Sequence, residues 1–290
     1  MFRKIALIAV AAGLCATSHA GWEYTAVTRG EGGPNSRMLG SAVKAWIRGG
    51  QARVEFTESG NPMMAAGTYA VTPDAGQTLY LVNPSEKAYS KWDLKDMAGL
   101  AGGAMKMMNM KISGAKVETL LEEDGGKILG YPTTHYRFRT SYATEMNFMG
   151  MNQSTKTVQE EDVWATAALD DQALGFWMKK QDIRTGDEEL DRMMKGTMDQ
   201  VKGFPLRRTV ATTTEDGAGT RQTVKMTAEV TALKESTPDA KLFEIPAGYR
   251  EAPLFPAAGM GARPAGAGAG PAGMPDPALL KKMLEGVNRR

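Results

Sequence analysis

Along most of the chain, apolar and polar side chains alternate with a period of two. In residues 41–48, Val43, Ala45 and Ile47 fall on one face and Lys44, Trp46 and Arg48 on the other. After Gly49-Gly50 the pattern resumes, with Ala52, Val54 and Phe56 opposite Arg53 and Glu55. Alternation on both sides of a glycine pair predicts an antiparallel hairpin with one dry face and one wet face. Residues 22–29, 67–72, 78–83 and 87–92 read as further short strands. Residues 115–123, 127–142, 155–168, 204–215 and 220–235 read as longer ones, and 241–246 as a last short one.

Helical spacing interrupts this pattern in three places. In residues 93–110, Asp93 is placed to cap a helix whose apolar face carries Leu94, Met97, Leu100, Ala101, Ala104 and Met108. Gly99, Gly102 and Gly103 each cost about 1 kcal/mol relative to Ala, so a movable flap is expected rather than a rigid rod. Residues 171–181 read as a short helix. Residues 187–201 read as a clearer one, with Leu190, Met193, Met194, Met198 and Val201 in a stripe behind an acidic first turn. A long meander with helical insertions predicts an α+β fold. Its expected form is a strongly curved antiparallel β-sheet, an unclosed half-barrel, with short helices covering the concave face.

The two ends of the chain differ from the middle. Arg3 and Lys4 precede an apolar run from Ile5 to Cys15, and Ser18-His19-Ala20 supplies small residues for cleavage before Gly21. Residues 1–20 therefore read as a cleaved signal peptide, and the expected location is the periplasm. Residues 21–252 form the main domain. Residues 253–275 are a Pro/Gly/Ala-rich linker that cannot bury enough apolar surface to order itself. Residues 276–288 carry Leu279, Leu280, Met283, Leu284 and Val287 at helical spacing behind Asp276-Pro277, a short amphipathic helix suited to engaging an envelope partner.

Composition narrows the chemistry. The 290 residues hold 35 Lys plus Arg against 33 Asp plus Glu, one Cys and two His. Cleavage after Ala20 removes Arg3, Lys4, Cys15 and His19, leaving a formally neutral chain without a thiol. Neutrality without a basic block gives no electrostatic footprint for nucleic acid. A disulfide, a thiolate metal site and a multi-histidine zinc site are all excluded from the mature chain. His135 is left as the sole candidate general base, on the polar side of its strand, where a solvated histidine is expected. Glu122-Glu123-Asp124 and Glu160-Glu161-Asp162 read as solvated triplets beside turns. No enzyme signature and no cofactor motif emerges.

Methionine is the unusual residue. Twenty occur, with Met105, Met107, Met108 and Met110 close together and Met146, Met149 and Met151 later. Soft thioethers suit Cu(I), a plastic apolar surface suits varied acyl chains, and core filling needs neither. All three readings remain open at this point.

Two motifs carry a family resemblance. Asp239-Ala240-Lys241-Leu242-Phe243-Glu244-Ile245-Pro246-Ala247-Gly248-Tyr249 resembles the closing strand of the LolA-type carriers, periplasmic proteins that ferry outer-membrane lipoproteins. Thr78-Leu79-Tyr80-Leu81-Val82-Asn83-Pro84, followed by a strand ending at Trp92, resembles their strand, Asn-Pro, strand element. The resemblance spans roughly residues 22–250, as that of an uncharacterised exported bacterial family sharing the half-barrel. It implies an apolar interior that accepts acyl chains beneath a helical lid. It also implies an arginine on the hairpin that holds the lid, a position for which Arg48 and Arg53 both qualify.

The expected function is thus a non-enzymatic periplasmic protein that holds an apolar ligand, lipid or a lipoprotein's acyl chains, and needs no cofactor. The expected ligand-binding residues are Val43, Ala45, Ile47, Val54, Phe56, Leu79 and Leu81 on the sheet and Met97, Leu100, Met105 and Met108 on the lid. The expected partners are lipid or an acylated protein, with an envelope protein reached through the C-terminal helix. A Met-rich Cu(I) protein and an envelope sensor module are the alternative functions. The lipid reading requires a concave face not fully occupied by the protein's own side chains.

Overall fold

A computed structural model of the chain describes residues 21–33, 36–93, 102–103, 105–106, 109–148, 151–169, 187–198 and 200–253. The expected signal peptide, the expected linker from residue 254 on and the expected C-terminal helix lie outside the described residues, as do residues 171–181 and most of 94–108.

A first meander comprises β1 (Gly21–Glu31), β2 (Ser41–Arg48), β3 (Gln51–Ser59), β4 (Tyr69–Thr72), β5 (Thr78–Asn83) and β6 (Ala88–Asp93). A second has longer arms: β7 (Met110–Ile128), β8 (Tyr131–Phe148), β9 (Met151–Thr166), β10 (Phe204–Asp216) and β11 (Arg221–Ser236). β11 pairs antiparallel with β1, which fuses the two meanders. A short β12 (Arg250–Glu251) adds to β6 in parallel. The result is one 12-stranded sheet in the order β12-β6-β5-β4-β3-β2-β1-β11-β10-β9-β8-β7. Asp216 shapes the β10–β11 loop by accepting from the backbone N–H groups of Ala218 and Thr220 at 2.9 and 2.8 Å. Those backbone donors, Thr220 first, hold its carboxyl below the usual carboxylate range.

The register places Trp22, Tyr24 and Ala26 beside Ile47, Ala45 and Val43, and these beside Ala52, Val54 and Phe56. The same face continues through Ala70 to Leu81 and, on the other side, through Leu233 and Val230. This inner face is apolar and must be kept from water, yet no second sheet covers it among the described residues. The sheet bends instead. β8 lies four strand steps from β1, roughly 19 Å across a flat sheet. Nevertheless Tyr131, at the start of β8, meets Trp22 edge-on with ring centroids 6.1 Å apart. Register shifts in the β1–β11 pairing, in the β9–β10 pairing and at three points of β7 supply the bending.

Curling brings Ile128 and Tyr131 from the β7–β8 tip onto a core of Tyr24, Ala45, Ile47, Ala52 and Val54, which Leu169, Phe204, Leu206 and Val230 complete. Tyr24 and Phe204 meet edge-on at 5.3 Å. Gly203 aims Phe204 inward: its φ is +98°, and a Cβ there would run into the carbonyl oxygen of Thr166. A second inner cluster holds Tyr136, Phe138, Val163 and Ala165, with Val201 against it.

The expected α+β class, with helices covering the concave face, is therefore corrected. The chain is mostly β, and one α-helix longer than a single turn, α1 (Glu188–Met198), stands among the described residues beside three short 3-10 turns. Helix α1 packs on β7 near the sheet edge, where Glu189 accepts from the backbone N–H of Ala115 at a bulge (2.8 Å). Of the expected 93–110 helix, Asp93 ends β6, Met110 begins β7, and Gly102, Gly103, Met105 and Lys106 are helical. The expected strand at 241–246 is instead a 3-10 turn (Ala240–Phe243), because Asp239 caps it by accepting from the Lys241 N–H at 2.9 Å.

Phe204→Ala should remove a buried ring from the point where the two meanders meet and lower stability by about 4 kcal/mol, read from urea unfolding. Leu39→Ala, at an exposed position outside that core, should shift the unfolding midpoint little.

Candidate functional site

The expected ligand-binding residues on the sheet share one face of β2, β3 and β5, but that face is not uniformly available. Ala45, Ile47 and Val54 are buried in the protein's own core, and Val43 packs against it. Phe56, Leu79 and Leu81 are half-buried and belong to none of the core clusters. Met105 is half-buried, whereas Met97, Leu100 and Met108 lie outside the described residues.

The rest of this face is built around β4, whose inward residues are Ala70 and Thr72, both buried, with buried Thr68 just before the strand. These hydroxyls are satisfied within the chain: Thr68 donates to the Ala65 carbonyl at 2.7 Å, and Thr72 donates to Asp74 at 3.1 Å. Phe56 of β3 lies to one side of these small residues, and Leu79 and Leu81 of β5 lie to the other, with Trp92 of β6 beside Leu79. The indole N–H of Trp92 is buried with no hydrogen-bond partner among the described residues. A separate open depression of ≈ 510 Å³ lies where β1, β2 and β3 end, and Thr28, Arg29, Ser41 and Glu58 make its rim polar.

The outer face takes the chain's closing segment. Phe243 packs with Tyr69, Val71 and Val82. Arg48 and Arg53 hold this segment: Nη1 of Arg48 donates to the Pro238 carbonyl and Nη1 of Arg53 to that of Leu242, each at 3.1 Å. The Arg53 guanidinium lies 3.5 Å from the Tyr69 ring centre. Burial pushes the Tyr69 phenol up, against the pull of that guanidinium. Both arginines thus lie on the face opposite Phe56, Leu79 and Leu81.

Farther along the outer face a polar cluster surrounds His135, which is buried rather than solvated (8% exposed). Its Nε2 lies 2.7 Å from Asp162 Oδ1, its Nδ1 lies 3.6 Å from Glu123, and its ring stacks on Trp164 at 4.2 Å. Arg137 donates to the same Asp162 oxygen at 2.8 Å, a bond that raises the guanidinium above its ordinary value. The Glu160-Glu161-Asp162 triplet is therefore not a solvated end. It lies within β9, with Glu160 and Asp162 outward and Glu161 buried inward. Both imidazole nitrogens of His135 lie near carboxylates, Asp162 of β9 and Glu123 of β7, so the cluster pins β7, β8 and β9 together.

The methionines give one structural pairing. Met110 of β7 and Met146 of β8 oppose each other across the strands, both half-buried. Met107, Met108 and Met149 lie outside the described residues. Among the described residues no group of His, Cys, Asp and Glu could hold a metal ion, and no helix is long and apolar enough to cross a membrane.

Removing the pin should be measurable. Asp162→Ala strands His135 and Arg137 together and should cost about 2 kcal/mol in urea unfolding. Glu160→Ala breaks only the exposed pair with Arg139 and should cost under about 0.5 kcal/mol.

Comparison with known proteins adds a family and no activity. No curated protein matches the chain. A solved structure of PNGF-II is similar at 12% identity with a TM-score of 0.28, over 80% of this chain and 32% of its own, so this chain spans about a third of that structure's length. The chain belongs to the family described as domain of unknown function (DUF4412), matched over residues 37–249.

Proposed function

We propose that this chain is an exported, non-enzymatic binding protein of the periplasm that holds an apolar ligand, lipid or acyl chains, against the inner face of β3 to β6. The carrying observation is the set of half-buried apolar side chains there that no core cluster takes up, Phe56, Leu79, Leu81 and Trp92, on either side of the small residues Thr68, Ala70 and Thr72. A chain of methylene groups gains by leaving water for such a surface, and the internally satisfied threonine hydroxyls ask nothing of it. The resemblance of residues 78–84 and 239–249 to the LolA-type carriers supports the same ligand class, and the leader-like residues 1–20 support the location. The partners on this reading are lipid or an acylated protein.

Mass spectrometry of gently purified mature protein should find co-purifying lipid, and a fluorescent fatty acid should be taken up. Leu79→Ser with Leu81→Ser, both at half-buried positions, should weaken uptake about tenfold or more while circular dichroism stays that of the parent. Absence of both lipid and uptake in the parent chain would end this reading.

A further inference from the structure

The β7–β8 hairpin reaches the inner core through a tip that its own strands hold weakly. Gly125 and Gly126 lie in a bulge of β7, and Lys127 faces Pro132, which has no N–H to give. Leu129 and Gly130 turn the chain at φ +53° and +85°, a region that strains a leucine. A bond from the Thr133 hydroxyl to the Gly126 carbonyl (3.1 Å) spans the bulge. At the tip itself Ile128 and Tyr131 pack on the core, with Tyr131 against Trp22. Just behind the bulge, Glu123 of β7 and His135 of β8 face each other.

That pair depends on one proton. His135 Nε2 lies 2.7 Å from Asp162 Oδ1, and an ionised carboxylate only accepts, so the ring carries a proton on Nε2. In the neutral ring Nδ1 is then a bare lone pair. It lies 3.6 Å from Glu123 Oε1, too far for a hydrogen bond, and two acceptors that face each other repel. A second proton makes Nδ1 a donor and turns the same contact into a charge-assisted bond. The β7 backbone is close enough to register the change: a Cβ on Gly125 would lie 2.9 Å from Trp164 and 3.0 Å from the His135 backbone nitrogen. The other charges around the ring are already engaged. Arg137 donates to Asp162, Arg139 to Glu160, and Asp124 accepts from the Gly126 N–H. Arg207 of β10 lies over the Trp164 ring and donates to Glu229.

We infer that His135 and Glu123 form a proton-dependent latch on the hairpin tip. With the ring protonated, Nδ1 donates to Glu123, and β7 holds Ile128 and Tyr131 down on the core. With the ring neutral that bond is lost and the tip lifts more readily, uncovering Trp22 and the apolar side chains beneath it. The added stability is present at low pH and lost as pH rises through the titration of the ring. Glu123 is 57% exposed, so water weakens the bond and its effect is a few-fold one. The latch does not depend on the inner face binding lipid.

Hydrogen exchange of the amides in residues 127–133, corrected for the intrinsic pH dependence of exchange, reads the opening of the tip. In the parent chain, opening should be about threefold rarer at about pH 5.5 than at about pH 8. Glu123→Gln keeps the side chain's shape at an exposed position, so it should fold as the parent does and lose the change with pH. Imidazole nitrogen chemical shifts of the parent should place the neutral ring's proton on Nε2. Equal opening at both pH values, a change that survives in Glu123→Gln, or a neutral ring protonated on Nδ1 would each overturn the latch.

Discussion

The inner face of the sheet is apolar, and among the described residues, which include no cysteine and no second sheet, its cover has to come from the sheet itself. The energy comes from bending the sheet until its own far end lies over its middle. The bulges in β11 and β7 make that bend, and the long β7–β8 arm delivers Ile128 and Tyr131 onto the core around Ile47 and Tyr24. Gly203, held at a φ that disfavours side chains, sets Phe204 and Leu206 into the same space. The plug has a limited reach. It covers the inner face around Tyr24, Ala45, Ile47 and Val54, while Phe56 on β3, Leu79 and Leu81 on β5 and Trp92 on β6 stay outside the core clusters. Those four side chains are left half-buried by the same packing.

The outer face is held differently. Its core of Tyr69, Val71, Val82 and Phe243 is small, and the arginines of the first hairpin fasten the segment above it through backbone carbonyls. Beyond it the face is a lattice of pairs: Glu23 with Lys44 and Lys234, Arg207 with Glu229, Arg139 with Glu160. Each such exposed pair is worth at most about 1 kcal/mol, so together they tune register and solubility more than stability. His135 is the exception, since its burial against Trp164 removes the water that would otherwise weaken its contacts.

The strands of the first hairpin were legible because alternation is a local signal: Val43, Ala45, Ile47, Val54 and Phe56 share a face as their spacing requires. The α+β class was misread for a physical reason. Glycine-interrupted methionine runs have helical spacing, and that spacing cannot show that a distant hairpin tip already occupies the core. His135 was placed on the correct face and given the wrong environment, because its burial depends on Trp164, 29 residues away in sequence and adjacent only through the β8–β9 register. Glu161 was within reach of sequence reasoning: period-two alternation from Val163 puts it on the dry side, and reading three acidic residues as one solvated patch overlooked that period. The closing segment lacked any such signal, since Asp239 turns KLFEIP into a 3-10 turn through one short-range hydrogen bond.

Glu161 and Arg208 also separate two ways of reading an apolar face. A face meant only for packing gains nothing from a buried carboxylate, because removing it from water costs several kcal/mol that its partner at best returns, and an apolar pair of similar volume packs as well or better. Here the ion pair interrupts the inner face where the two core clusters would otherwise merge, between Leu206 and Val230 on one side and Val163 and Tyr136 on the other. The interruption keeps polar hydrogen-bonding capacity at the edge of a dry surface while burying only one of the two charged groups. The result is asymmetric: the carboxylate is sealed beneath a guanidinium that still meets solvent.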